Sequence, residues 1–192
     1  MALIIRSLAP EDDRSAFRSG DIDLDRFFQR FAGQNRFRHY IGVTYVAVDF
    51  AAILGFVTVA AASLETSTLS PTARKKLPAY PRPVLRLARL AVEESVKGEG
   101  VGSALLRFVF TLAREMAVLL GCVGVVVDAK PGAVKFYGQF GFVALEAQAG
   151  QLGDRPEPTP MFLEIGAVPK SKTGSRRKPL GRRCVDRARA PE

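Results

Sequence analysis

The chain has 192 residues, 47% hydrophobic and 24% charged, with two cysteines and no tryptophan; this suits one globular domain with a core of its own plus a short extension. Cys122 lies in an apolar run and Cys184 in a basic one, which excludes a disulfide framework or a thiolate metal cluster and fits a reducing cytoplasm. The net charge of +9 is uneven, because residues 166–192 carry nine Lys and Arg against two Asp and Glu, leaving 19 against 17 in residues 1–165.

The expected organisation is therefore a nearly neutral domain over 1–165 and a basic tail over 166–192. The tail is too rich in Lys, Arg, Pro, Gly and Ser to order itself, and serves as a solubilising end or a nucleic-acid contact. Residues 1–7 lack the apolar stretch of a signal peptide, and the most apolar run, 51–62, is too short to cross a bilayer. A soluble cytoplasmic protein with no membrane partner is expected.

Residues 3–8 are an apolar run ending at Pro10 and predict a first strand. From Asp23 to Ala32, Leu24, Phe27, Phe28 and Phe31 recur at i, i+3, i+4 and i+7, predicting a helix with these four on one face, Asp21 or Asp23 as its cap, and Arg26, Gln29 and Arg30 outward. Residues 44–48 and 53–62 read as an antiparallel hairpin turning near Asp49, and 66–83, with four prolines, as a loop or short helix. Residues 84–92 form a strand, 102–120 a long helix with a polar stripe of Arg107, Thr111, Arg114 and Glu115, and 122–128 a central strand. Strand, helix, strand at this spacing is a right-handed βαβ unit. A short helix opening on Pro131 follows, then strands over 142–146 and 161–165 separated by a loop over 148–160. The fold class is α/β with a mixed sheet.

Two constellations carry chemistry. Gly98, Gly100 and Gly102 alternate just before the long helix, where backbone N–H groups and the helix dipole favour an anion, and Lys97 adds charge at the entrance. Taken alone this is also an ordinary glycine-rich connection. It fits neither a dinucleotide fingerprint nor a P-loop. The second constellation runs from Asp128 through Ala133, Phe136 and Tyr137 to Gly141 and Phe142.

Together the two resemble the GNAT superfamily of N-acetyltransferases. The segment Lys97-Gly98-Glu99-Gly100-Val101-Gly102 is similar to that family's glycine loop, with Lys97 where Gln or Arg is usual, and Ala133 to Phe142 follows its A-x-x-F-Y-x-x-x-G-F signature. Phe17-Arg18-Ser19-Gly20, Leu24 to Phe28, Thr44 to Val48 and Leu87 to Val92, with Ala88 where Gly is common, look like the acetyltransferase toxins of toxin–antitoxin pairs, which acetylate aminoacyl-tRNA. The similarity covers residues 3–165.

The resemblance implies a central sheet whose fourth and fifth strands splay, with helices on both faces. It implies acetyl-CoA as co-substrate and no metal, the pantetheine arm along Leu90, Ala91 and Val92, and the pyrophosphate on Lys97, Gly98, Glu99, Gly100, Val101, Gly102 and Ser103. Tyr137 becomes the general acid, a phenol with an ordinary pKa of about 10 that stays protonated at neutral pH. A homodimer and a ribbon-helix-helix antitoxin are implied partners. Glu93 and Glu94 stand where some members keep an acid, and His39 is the single histidine. Candidate acceptor contacts are Arg36, Arg38, Arg86 and Arg89, with Lys75 and Lys76; each is equally read as surface charge. Acetylation of a small or protein amine, and a non-catalytic CoA- or nucleic-acid-binding module, remain alternatives.

Overall fold

A computed structural model describes residues 3–50, 52–64, 81–145 and 158–168, the side chain of Arg36 excepted. The strands are β1 (Ile4–Ser7), β2 (Val43–Asp49), β3 (Ala52–Leu64), β4 (Arg82–Val92), β5 (Gly124–Ala129), β6 (Val143–Ala144) and β7 (Thr159–Glu164). They form one sheet in the order β1-β2-β3-β4-β5-β7-β6. Only β4 and β5 are parallel, joined by helix α3 (Val101–Leu119). The rest pair antiparallel, so the sheet is mixed as expected.

The sheet is buried on both faces. Leu105, Leu106, Val109 and Phe110 of α3 pack on Val57, Leu85, Leu87, Val125 and Leu163. On the other face Phe17, Phe27 and Phe28 cover Val46, Phe56 and Ala91, with Phe28 stacked on Phe56 at 4.3 Å between ring centroids. Val168 is also buried in the first layer, and its carbonyl accepts from the Arg114 guanidinium, so packed chain continues past Ile165.

Two irregularities position the site. β4 pairs with β5 only over Leu85–Leu87, and the ladder then stops although both strands continue. At that level the β3–β4 register jumps from Val59–Leu87 to Thr58–Arg89, leaving Ala88 as an extra residue. A bulge bends its strand and shifts the side-chain alternation by one. Leu85 and Leu87 before it and Leu90 and Val92 after it therefore all join the same core layer. β4 thus leans away from β5 where the sequence resemblance implied a splay.

The second irregularity lies in the first helical segment. α1 (Ile22–Arg26) is capped by Asp21, whose carboxylate accepts from the amides of Asp23 and Leu24. The chain then makes one π turn, Phe27–Phe31, before α2 (Ala32–Phe37). A π turn inserts a residue into the helical repeat. The single predicted face is corrected accordingly: Phe27 and Phe28 are buried, but Phe31 is 45% exposed and Ala32 takes the next core position. Gln29 also turns inward far enough to donate to the Phe17 carbonyl.

Other sequence expectations shift by a few residues. Pro83 stands in β4 rather than in a loop, below the first β4–β5 pair, where its carbonyl accepts from Val123 N and its missing N–H interrupts no β5 ladder. α3 is less enclosed than expected, since Val118 and Leu119 at its end are 85% and 77% exposed. Residues 66–80 of the loop predicted over 66–83, residues 148–157 of that predicted over 148–160, Lys75 and Lys76, and residues 169–192 of the tail lie outside the described residues. The last short helix, α4 (Val134–Gly138), follows a 3₁₀ turn that opens on Pro131.

Candidate active site

The opening between β4 and β5 is a cleft of about 540 Å³. Its walls come from four places: the end of β4, the loop into α3, α4, and the segment leading into α1. Gly98 and Gly100 each have φ of +88°, and a Cβ on either would meet nothing within 4 Å. Glycine is needed there for backbone conformation and not for space. Gly102 is different, with ordinary φ and a Cβ position 3.4 Å from the Val92 side chain.

Gly100 is the residue before α3 and offers no side-chain cap, so the first amides of a 19-residue helix face the cleft uncapped. Those amides and the positive end of the helix dipole make an anion site, as the glycine spacing predicts. Lys97 is exposed beside it, with its ammonium 4.0 Å from Glu94. Of the predicted donor-side residues, Leu90, Ala91, Val92, Lys97, Gly98, Gly100, Val101, Gly102 and Ser103 line the cleft, and Glu99 does not.

Tyr137 lies on α4 and lines the same cleft from the β5 side. It is 5% exposed, with its ring edge-on to Phe136 and Phe142. Burial disfavours the phenolate and pushes its pKa up to about 12. The hydroxyl therefore holds its proton throughout the neutral range and is available as a donor.

The sequence did not single out Asp21, Leu24 or Phe136 as cleft residues. Asp21 reaches the cleft by capping α1, and its second carboxylate oxygen accepts from the Lys130 ammonium. Glu93, considered as an acid near the reaction, is engaged elsewhere: its Oε2 accepts from Arg18 N at 2.8 Å while Glu94 N donates to the Arg18 carbonyl. This pair of bonds ties the segment before α1 to the end of β4. His39 is exposed near the end of α2 and lines none of these walls.

A second concavity of about 610 Å³ adjoins the first, and Leu24 lines both. Its walls include Arg26, Phe27, Phe31, Arg86, Arg89 and Lys130. Of the candidate acceptor contacts, Arg86 and Arg89 meet here, on one face of β4, because the bulge at Ala88 brings positions three apart to the same side. Arg38 is exposed just past α2, which packs on β2, and lines neither concavity. Arg36 is a residue of α2. Arg26 and Lys130 join the trough without having been expected there; they come from segments about a hundred residues apart, which no local pattern connects.

Among the described residues no three His, Cys, Asp or Glu side chains gather as metal ligands, and no helix is long and apolar enough to cross a membrane. The glycine-loop amides, the apolar walls of Leu90, Val92 and Phe136, and the strand edge left by the splay fit a long ligand that is anionic at one end.

Residues 41–144, more than half of the chain, match the family model of the acetyltransferase (GNAT) domain. The chain is 30% identical over 140 residues to a tRNA-acetylating toxin of Mycobacterium tuberculosis (strain ATCC 25618 / H37Rv), covering 71% of this chain and 82% of that protein. Among solved structures, a tyrosine-to-phenylalanine mutant of KacT superposes with a TM-score of 0.75 at 25% identity, covering 86% of this chain and 96% of the other. AtaT complexed with acetyl-methionyl-tRNAfMet superposes with a TM-score of 0.73 at 24% identity over the same shares; AtaT has also been solved with the C-terminus of the antitoxin AtaR and acetyl-CoA. With the open β4–β5 ladder, the uncapped α3 and the buried Tyr137 in place, the chain belongs to the GNAT acetyltransferase family and is an N-acetyltransferase that takes its acetyl group from acetyl-CoA.

Proposed function

We propose that this enzyme acetylates the α-amine of aminoacyl-tRNA and so blocks translation, as the toxin of a toxin–antitoxin pair. The observation that carries this reading is the junction at Leu24, where the donor cleft opens into a trough bearing Arg26, Arg86, Arg89 and Lys130. Three of these cations are paired, with Asp23, Asp128 and Asp21, and Arg89 has no carboxylate partner among the described residues; a small neutral amine has no need of such a cation beside the thioester, whereas a polyanion carrying an amine at its end does. The 30% identity to a protein named for acetylating tRNA supports the same acceptor.

In this reading the amides at the start of α3 and the Gly98–Gly100 loop hold the pyrophosphate of acetyl-CoA, and the free edge of β4 at Leu90–Val92 orients its pantetheine arm. The bound thioester supplies an activated acetyl carbon. Tyr137 then donates its proton to the departing sulfur as the carbon–sulfur bond breaks and the amide forms; solvent takes the proton lost by the amine and returns one to the Tyr137 phenolate. A dedicated base is not required, because an α-amine titrates at about 7.7–8.0 and is substantially neutral near physiological pH. The protein acts in the cytoplasm, as a homodimer restrained by a ribbon-helix-helix antitoxin.

The test is direct: purified protein, labelled acetyl-CoA and a pool of charged tRNAs, with the modified aminoacyl ends identified. Label should appear on charged tRNA, and the rate at limiting tRNA should fall steeply with salt as counter-ion release predicts. Turnover of simple amines or of a protein lysine, with none of charged tRNA, would replace this reading by a small-amine or protein acetyltransferase.

A further inference from the structure

The trough beside the donor cleft holds an asymmetry of charge. Arg26 pairs with Asp23, Arg86 with Asp128 and Lys130 with Asp21. Arg89 pairs with no carboxylate among the described residues; its guanidinium carbon lies 3.8 Å from the centroid of the Phe27 ring, and the residue is half-buried. Desolvation without a counter-ion disfavours the charged form and pulls its pKa below the usual arginine value. A ring face beneath the cation offsets part of that cost and leaves the donors of the fork to be satisfied.

The same trough has an unusual apolar wall. The π turn rotates Phe31 away from the layer that Phe27 and Phe28 fill, leaving its ring 45% exposed along the trough. One concavity therefore presents a wet aromatic face and a planar cation with no carboxylate partner among the described residues, next to the opening of the donor cleft at Leu24. An aromatic ring joined to a phosphate satisfies both.

We infer that Phe31 and Arg89 form a nucleotide subsite: the ring stacks on the base of the acceptor's 3′-terminal nucleotide, and the guanidinium takes the phosphate joining it to the nucleotide before. Stacking of this kind accepts any base, and an arginine fork matches two phosphate oxygens at once. The identity of the ligand as the RNA end rests on the aminoacyl-tRNA reading above. Arg26, Arg86 and Lys130 are balanced by their carboxylates, whereas Arg89 and Phe31 fix where the last nucleotide lies and so deliver the amine attached to its ribose towards Tyr137.

The probe is the 5′-phosphorylated dinucleotide pCpA, titrated calorimetrically against the full-length protein. Wild type should bind it, and Phe31→Ala and Arg89→Gln should each weaken binding about tenfold or more, with Phe31→Tyr retaining it and Arg89→Lys keeping only part. With charged tRNA, both damaging variants should raise KM by a similar factor while kcat changes less, and affinity for acetyl-CoA should be unaltered. Phe31 is exposed, so its alanine variant tests the proposal even if an Arg89 variant folds poorly. Dinucleotide binding indifferent to both substitutions overturns the subsite. So does a KM effect of Phe31→Ala confined to tRNAs bearing large apolar amino acids, which would make the ring a wall for the aminoacyl side chain. If wild type binds the dinucleotide through these residues yet acetylates no charged tRNA, the acceptor reading fails and the nucleotide subsite stands.

Discussion

Lys130 and Asp21, 109 positions apart, form an ion pair in which the acid also caps α1 through the amides of Asp23 and Leu24. The pair fixes the helix that carries Leu24 against the loop that carries Gly132 and Ala133, the two flanks of the donor cleft. The two duties of Asp21 separate by mutation. Asp21→Ala should cost about 1–2 kcal/mol, chiefly the cap, whereas Asp21→Ser keeps a capping oxygen and should lose less than half of that. Lys130→Ala removes only a partly exposed pair and should cost less than about 1 kcal/mol. Urea unfolding midpoints of the three variants check the order.

Acid should weaken the fold through Asp12 and Asp21. The hydrogen bond from Arg6 is the main influence holding the Asp12 carboxyl below the usual range. For Asp21, burial pushes the pKa up, but the Lys130 hydrogen bond and the α1 amides together outweigh it, and the net shift is downward. Groups with depressed folded-state pKa values bind more protons when unfolded. Their stabilisation is full above the ordinary aspartate value of about 3.9 and is lost as pH falls through the lower folded values. Unfolding midpoints between about pH 5 and pH 2 should drop more steeply in wild type than in a double Asp12→Asn, Asp21→Asn variant.

Tyr137→Phe should lower kcat about 10²-fold or more with little change in acetyl-CoA affinity, as loss of a general acid predicts. In wild type, kcat/KM should fall below the acceptor amine's pKa, since the ammonium cannot attack. Because the folded phenol titrates at about 12, no alkaline limb from Tyr137 should appear below about pH 10. The same shift has a stability consequence of opposite sign to the aspartates. The raised folded value means its contribution is full below about pH 10 and is lost as pH rises towards 12. Stopped-time assays across pH on both proteins, with unfolding midpoints, check these statements.

Glu93→Gln should leave kcat within about threefold of wild type, because the carboxylate is held by the Arg18 amide and the glutamine carbonyl accepts in its place. A drop of 10² or more, the usual size of a lost general base, would assign that role to Glu93 and overturn the base-free reading.

Two glycines should respond to alanine for different reasons. At Gly100 a Cβ meets nothing, so Gly100→Ala carries only the strain of φ +88°, about 1–2 kcal/mol, and should chiefly raise KM for acetyl-CoA by displacing the loop. At Gly124 in β5 the added Cβ would stand 2.2 Å from the Leu163 carbonyl and 2.5 Å from the Phe162 ring, so Gly124→Ala should destabilise more than Gly100→Ala and reduce the yield of folded protein. Thermal unfolding and acetyl-CoA titration of the two variants separate the effects.

The donor half of the site was legible in the sequence because its determinants are local. Positive φ calls for glycine at positions 98 and 100, and the tyrosine signature is a continuous stretch. The acceptor half was less so. Arg26, Arg86 with Arg89, and Lys130 come from three separate segments that only the sheet brings together. Arg38 has the right chemistry but follows a helix packed on β2, two strands away from β4. A period of 3.6 puts Phe31 on one face with Leu24, Phe27 and Phe28, whereas the π turn breaks the period after Phe28. Such a turn has no residue signature comparable to a glycine or a proline.

The extra residue at Ala88 bends β4 at the level where its ladder with β5 ends. Removing it would take the bend out of β4 and extend the pairing with β5 across the gap, while Arg86 and Arg89, then two positions apart, would stay on one face. Loss of this one residue would thus strike at the cleft between β4 and β5 and leave the two arginines of the trough on their shared side. The length of this strand is therefore itself a catalytic specification, and tolerance to insertions and deletions should fall to its minimum between Leu87 and Leu90.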